Sequence, residues 1–189
     1  MPKPLPEYPR IALNAIRPAS ALIFYGGNKL TEFVGNKLYK HMYKPPAFHA
    51  ALYLREGLFL NVGGYKTIQD LSKELASTQR VDVIEYTMSN KERADVCKSA
   101  ALDTSKPKGI AIPDYGWRDY LRFGFKFLRP SKKDFCSENV AELLLTVGVR
   151  SSHKKPVDTA PWTLVEFAEA NPRDCKLFTL HIGKDFKYK

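Results

Sequence analysis

Residues 45–64 read PPAFHAALYLREGLFLNVGG, and the fold turns on how this stretch is taken. From Phe48 to Leu54 the chain alternates, so His49, Ala51 and Tyr53 share one face, and Phe48, Ala50, Leu52 and Leu54 share the other. Leu58 to Val62 alternates too, with Phe59 and Asn61 on one side. Arg55-Glu56-Gly57 ends in glycine, which suits a three-residue hairpin turn. That turn pairs Leu54 with Leu58, sets Asn61 across from Ala51, and sets His49 across from Gly63. His49 and Asn61 are then diagonal neighbours on one face, roughly 7–8 Å apart at the backbone and within side-chain reach. A buried structural histidine is the plainer reading of His49 taken alone.

A second stretch changes that weighting. KDFCSENVAELLLTVG, residues 133–148, predicts a helix. Asp134 suits the N-cap, Val140, Leu143, Leu144 and Val147 recur at helical spacing, and Gly148 suits the C′ stop. Cys136 lies one turn before Val140, so its thiol faces the packed side of the helix near its start. The partial positive charge of a helix N-terminus favours thiolate and lowers a cysteine from its free value of about 8.5. A nearby imidazole lowers it further, and an amide such as Asn61 can orient that imidazole. For an isolated cysteine, burial as a small hydrophobe is the commoner fate. Helix start and histidine strand together point to a Cys136–His49–Asn61 site.

The pattern resembles the circularly permuted branch of the NlpC-type, papain-like cysteine hydrolases, which includes YiiX-like proteins and relatives of lecithin retinol acyltransferase. In that branch a strand histidine is followed by a polar residue on the next strand and later by a cysteine that opens a helix. His49 in FHAALYL, Asn61 twelve residues on, and Cys136 in FCSENV match in that order. RPASALIFYGG (17–27) looks like the opening strand, and YGWRDYLRFGFKF (115–127) like the aromatic helical stretch before the cysteine helix. The likeness spans roughly residues 17 to 170. The third position in the branch is often His or Glu; here it is Asn, an amide of the kind papain-type enzymes use. The resemblance implies a permuted papain-like α+β fold, an antiparallel sheet with the nucleophile helix packed against it. It also implies a thiol protease, amidase or acyltransferase acting on peptidoglycan cross-links or lipid acyl groups, with no cofactor.

Composition narrows the field. The 189-residue chain is 44% hydrophobic and 12% aromatic, ordinary values for one folded domain. No run reaches the roughly 18 apolar residues of a membrane-spanning helix. MPKPLPEYPRIALNAIRP is proline-rich and lacks the apolar core of a signal peptide, so cytoplasmic synthesis is expected, with virion association or a non-classical export route as the ways outward. Cys97, Cys136 and Cys175 lack both disulfide-framework and zinc spacing, so no metal is expected. The domains expected are a Pro-rich arm over 1–17, the hydrolase domain over 18–183 and a basic tail over 184–189.

The net charge is +10. Basic residues cluster at Arg118, Arg122, Lys126, Arg129, Lys132 and Lys133, and again at Lys184, Lys187 and Lys189. Such a surface attracts an anionic polymer or membrane, while nothing in the sequence carries the signature of a nucleic-acid fold. The rival reading from another class is a structural or docking subunit of a virion or cell-envelope assembly, on the same fold with a vestigial site. The arm and tail, segments that can order on a partner, favour it.

The remaining elements are a strand over 20–25, a helix over 28–41, helical or loop character over 67–76, and a strand over 81–86. A helix over 89–101 follows, with Ser89 and Glu92 as a capping box, then a loop over 105–113 and a polar loop over 151–161 carrying His153. A short helix over 163–170 and a last strand over 176–182 complete the chain.

Overall fold

Alternation in β-branched and aromatic residues builds one sheet. The computed structural model describes residues 6–26, 47–62, 66–75, 78–105 and 136–180. The strands are β1 (Arg10–Ile11), β2 (Ala21–Gly26), β3 (Ala47–Arg55), β4 (Leu58–Val62), β5 (Lys66–Asp70), β6 (Thr78–Tyr86) and β7 (Cys175–Leu180). The helices are α1 (Leu71–Leu75), α2 (Asn90–Ser105), α3 (Cys136–Leu145) and α4 (Pro161–Ala170). Among the described residues the strand order is β1-β7-β6-β2-β3-β4-β5. The expected helices over 28–41 and 115–127, the expected N-cap Asp134, Gly63 and the tail 184–189 lie outside the described residues. No helix among the described residues is long and apolar enough to cross a membrane.

The fold is α+β, with a mixed sheet where an antiparallel one was expected. β1 pairs with β7 in parallel, Arg10 beside Thr179 and Ile11 beside Leu180, and every other pair is antiparallel. The described part of the expected arm is therefore tied to the sheet. Pro9 O accepts the Thr179 N–H at 2.9 Å, Pro6 O accepts from the Arg80 guanidinium at 2.7 Å, and the Tyr8 hydroxyl donates to Glu169 at 2.6 Å. An edge position suits this segment, because prolines have no N–H for an inner ladder.

The sheet divides the core in two. Ala21, Ile23, Tyr25, Ala50, Leu52, Leu60, Val62, Ile84 and Tyr86 face one side. There they pack with Val96 of α2, Cys136, Val140 and Leu144 of α3, and Leu164 and Val165 of α4. Leu22, Phe24, Ala51, Tyr53, Phe59, Val81 and Val83 face the other side, with Ile16 and Leu71. Phe48 joins this second group, against its expected place with Ala50. The cause is a bulge: Phe24 pairs with His49 but Tyr25 pairs with Ala47, so Phe48 has no partner of its own on β2.

The start of α2 and the end of α3 follow the sequence signals, while α2 runs on to Ser105 and α4 begins at Pro161. Glu92 Oε2 accepts the Ser89 N–H at 2.6 Å and its hydroxyl at 2.7 Å, while Ser89 Oγ accepts the Glu92 N–H at 3.2 Å. After α3, Gly148 adopts φ 78, the Gly148 N–H reaches Leu145 O at 2.9 Å, and the Val149 N–H reaches Leu144 O at 3.1 Å. That pair of bonds is the Schellman motif. The buried Arg93 guanidinium donates to Pro18 O at 2.7 Å and Tyr86 O at 2.6 Å, fastening the approach to β2 onto the end of β6.

Two local expectations need correction. The β3–β4 turn is a two-residue one, Glu56 and Gly57 with φ 51 and 79. Both torsions are positive, the type I′ twist that matches flanking strands. The pairs Leu52–Leu60 and Tyr53–Phe59 hold the expected register, and the irregularity falls between Tyr53 and Arg55 instead of in the turn. Residues 66–70 form a strand before the short α1, because β4 offers Thr67 and Ile68 direct partners in Asn61 and Leu60.

The turn yields a test. A Cβ on Gly57 meets nothing closer than Leu13 Cδ2 at 3.9 Å. Gly57→Ala should therefore cost only the left-handed backbone penalty, about 1–2 kcal/mol, and Glu56→Gly should recover a similar amount at the neighbouring position. Urea unfolding midpoints read both; equal midpoints for wild type and Gly57→Ala would overturn the turn assignment.

Candidate active site

His49 enters the second half of the core because it stands opposite Phe24 on β2. Its ring lies 5.5 Å from the Phe24 ring and 6.4 Å from the Phe48 ring, centroid to centroid, and Phe24 in turn packs on Phe59 at 5.9 Å. This aromatic wall removes water from the imidazole. Burial pushes its pKa down from 6.5 to about 4, and Asn61 alongside works the other way, raising it. The imidazole is consequently neutral at pH 7, with one nitrogen free to accept a proton.

Asn61 comes from β4, as its place on the hairpin predicts. Its Nδ2 donates to Gln69 Oε1 at 3.0 Å, and Gln69 Nε2 donates to Thr67 Oγ1 at 3.1 Å. Nδ2 already donates once, and the buried Oδ1, which has no partner, is the Asn61 acceptor offered to a ring N–H. Asn61 Oδ1 and His49 Nε2 are both buried, and neither has an aligned hydrogen-bond partner in this arrangement. Asn61 nonetheless acts on the imidazole, raising its pKa against the larger effect of burial. The bonded series Thr67–Gln69–Asn61 thus runs from the β5 edge toward the buried ring. Gln69 and Thr67 were missed from the sequence because 67–76 read as helix or loop; their alternation about Ile68 was the available signal.

Cys136 is the first described residue of α3 and is 1% exposed. The following Ser137 hydroxyl donates to Thr159 O at 2.6 Å, which pins the first turn of α3 to the segment before α4. The thiol packs with the helix-facing half of the core, among the residues that include Ala47, Ala50 and Val62. The structure therefore brings His49 and Asn61 together and sets Cys136 on the opposite face of the sheet. His49 and Asn61 lie toward the end of the sheet where β3 begins at Ala47 and β4 ends at Val62.

The other thiols are poor nucleophiles. Burial pushes Cys175 up to about 12, with Asp174 adding to the effect, and burial also raises Cys97. Among the described residues no group of three His, Cys, Asp or Glu side chains stands ready to hold a metal ion. A polar cluster unforeseen from sequence lies under α4. The fully buried Asp82 Oδ1 accepts from Arg80 Nε at 2.7 Å and from Thr179 Oγ1 at 2.9 Å. Arg80 lies over the Tyr8 and Tyr25 rings, 5.2 and 5.7 Å from their centroids. Burial raises the Asp82 carboxyl and Tyr25 phenol pKa values, and Arg80 opposes both shifts. Its bonds anchor β7 and the N-terminal segment, a structural task.

No protein-family profile matches this chain, and no curated protein matches it either.

Two predictions concern the imidazole. His49 titrates lower folded than unfolded, so the unfolded chain takes up its proton first as pH falls. The His49 contribution to stability is constant above about pH 6.5, falls between 6.5 and 4, and its loss approaches about 3 kcal/mol below that window. Urea melts at pH 7 and pH 4 should show this term in wild type and lack it in His49→Gln; an equal pH dependence in both refutes the assignment. A ring N–H donated to Asn61 Oδ1 would set the tautomer. Nitrogen-15 NMR at pH 7 should find His49 protonated at Nε2 and bare at Nδ1, and Gln69→Leu should mix the tautomers by freeing the Asn61 amide to turn. A bare Nε2 in wild type refutes this donation.

Proposed function

We propose that this chain is a thiol hydrolase or acyltransferase that cleaves an amide or ester bond on a permuted papain-like fold. The observation that carries the reading is the imidazole half of the site: a neutral, buried His49 backed by Asn61 from the adjacent strand. In this reading His49 Nδ1 takes the Cys136 proton, and the sulfur attacks the substrate carbonyl carbon. The C–N or C–O bond then breaks, and the leaving group departs with the proton held by the imidazolium. Water hydrolyses the thioester in a hydrolase; another alcohol or amine takes the acyl group in a transferase. Substrates in keeping with the resemblance are peptidoglycan peptides and lipid acyl groups, and the charge of +10 suits an anionic envelope surface. The reading requires the Cys136 thiol to meet the imidazole around the end of the sheet at Ala47 and Val62.

Thiol labelling tests this directly. At pH 7, iodoacetamide should label Cys136 at least about tenfold faster than Cys97 or Cys175, whose thiols burial pushes up. His49→Ala should abolish the advantage, and Cys136→Ala should abolish a covalent acyl-enzyme detected by mass spectrometry with an activated ester. Uniformly slow labelling and no acyl-enzyme would sink the reading.

One observation favours a second reading. The separation of Cys136 from His49 by the sheet suits a structural or docking subunit of a virion or cell-envelope assembly whose site is unused. An unreactive Cys136 together with an obligate assembly in light scattering would favour it over the enzyme.

A further inference from the structure

Beyond the far end of α3, about 15 Å along the helix from Cys136, the chain builds a second concavity. It is a cleft of about 530 Å³, where the turn after α3 meets the start of α2, the end of α4 and the turn before β7. That volume lies within the range of small-molecule sites, roughly 300–1,000 Å³. Its apolar lining is Val147, Val149 and Phe167. Its polar lining holds two carboxylates, Glu92 and Asp174, together with Arg150 and Asn171.

The hydrogen bonds already made decide what these groups have left to offer. Glu92 spends Oε2 on Ser89, which holds its carboxyl below the usual range, keeps it anionic and leaves Oε1 free. Asn171 spends Nδ2 on Phe167 O at 2.7 Å, leaving Oδ1 as an acceptor. The Asp174 carboxylate makes no hydrogen bond or ion pair to a described residue. Arg150 is held by Ser152 O at 3.0 Å through Nε and by His153 O at 3.4 Å through one terminal nitrogen, which leaves the other terminal nitrogen open. His153 sits edge-on to Phe167, 4.9 Å between centroids, and closes the apolar side. What remains is a set of acceptors for a cation, one guanidinium edge for an anion, and apolar side chains in the same lining.

We propose that this cleft binds a zwitterionic ligand with an apolar body, an amino acid or short peptide. Its ammonium is taken by Glu92, Asp174 and Asn171, its carboxylate by Arg150, and its side chain rests on Val149 and Phe167. A simple cation would meet Arg150 as a repulsive neighbour, and a simple anion would meet two carboxylates. A ligand carrying both charges satisfies every group. The site is independent of the Cys136–His49 reading, because it lies at the other end of α3.

The experiment is a titration of the full chain followed by amide proton–nitrogen NMR, with L-leucine, leucinamide and N-acetylleucine as probes. L-Leucine should give saturable shifts at Thr87, Gly148, Arg150 and Asn171. Leucinamide, lacking the carboxylate, and N-acetylleucine, lacking the ammonium, should each bind about tenfold more weakly or less, the loss of one charge-assisted contact. Asp174→Asn and Arg150→Gln, both at exposed positions, should each weaken L-leucine by a similar factor, with changes in the free spectrum confined to residues near the substitution, Ser152 and His153 included for Arg150→Gln. No saturable shift with L-leucine at millimolar concentration, or equal binding of all three probes, overturns the proposal.

Discussion

Phe24 stands directly across the ladder from His49, and that pairing decides where the imidazole goes. Strand side chains alternate with a period of two, so a slip of one residue would send His49 to the helix side of the sheet. The bulge at Phe48 is the device that holds this arrangement while returning Ala47 to the helix face, where Tyr25 is its partner. Everything else about the candidate site follows from this. The ring meets Phe24, the aromatic wall strips it of water, burial holds it neutral, and Asn61 is the polar neighbour within reach. The same register puts Ala50, Leu52 and Val62 under α3 and so seats Cys136 on the other side.

Two buried charges elsewhere share a pattern. Arg93 is buried but delivers its protons to two main-chain carbonyls. Asp82 is buried but receives a guanidinium and a hydroxyl. A charge taken out of water without such partners costs several kcal/mol, so each of these contacts acts as a specific fastening. His49 differs in kind: it meets burial by staying neutral, and it keeps a proton-accepting nitrogen as a result.

Strands β2, β3, β4 and β6 were legible because alternation and β-branched residues run through them, and so was α2, because its capping box is local chemistry. The neighbourhood of His49 and Asn61 was legible for a similar reason: a hairpin register follows from a few residues. What escaped was non-local. The strand Lys66–Asp70 has polar alternation that makes sense only beside β4, and Arg10–Ile11 is a strand only because β7 lies next to it. The bulge at Phe48 leaves no mark in a simple in-and-out pattern. The side of the sheet on which α3 packs is a tertiary choice, and helical spacing around Cys136 says only that the thiol faces a sheet, never which surface of it.

The parallel pairing of β1 with β7 carries a consequence for how the chain assembles. β2, β3, β4, β5 and β6 are joined mostly by near neighbours in sequence and can zip as a meander-like block. β7 reaches β6 only after α2, α3 and α4 intervene, and β1 then has to find a strand some 170 residues away. Loop-closure entropy makes such distant contacts late events. The sheet therefore grows from the hairpin end toward the edge formed by β7 and β1. The imidazole and its amide partner belong to the early block, whereas the thiol helix belongs to the chain that docks afterwards.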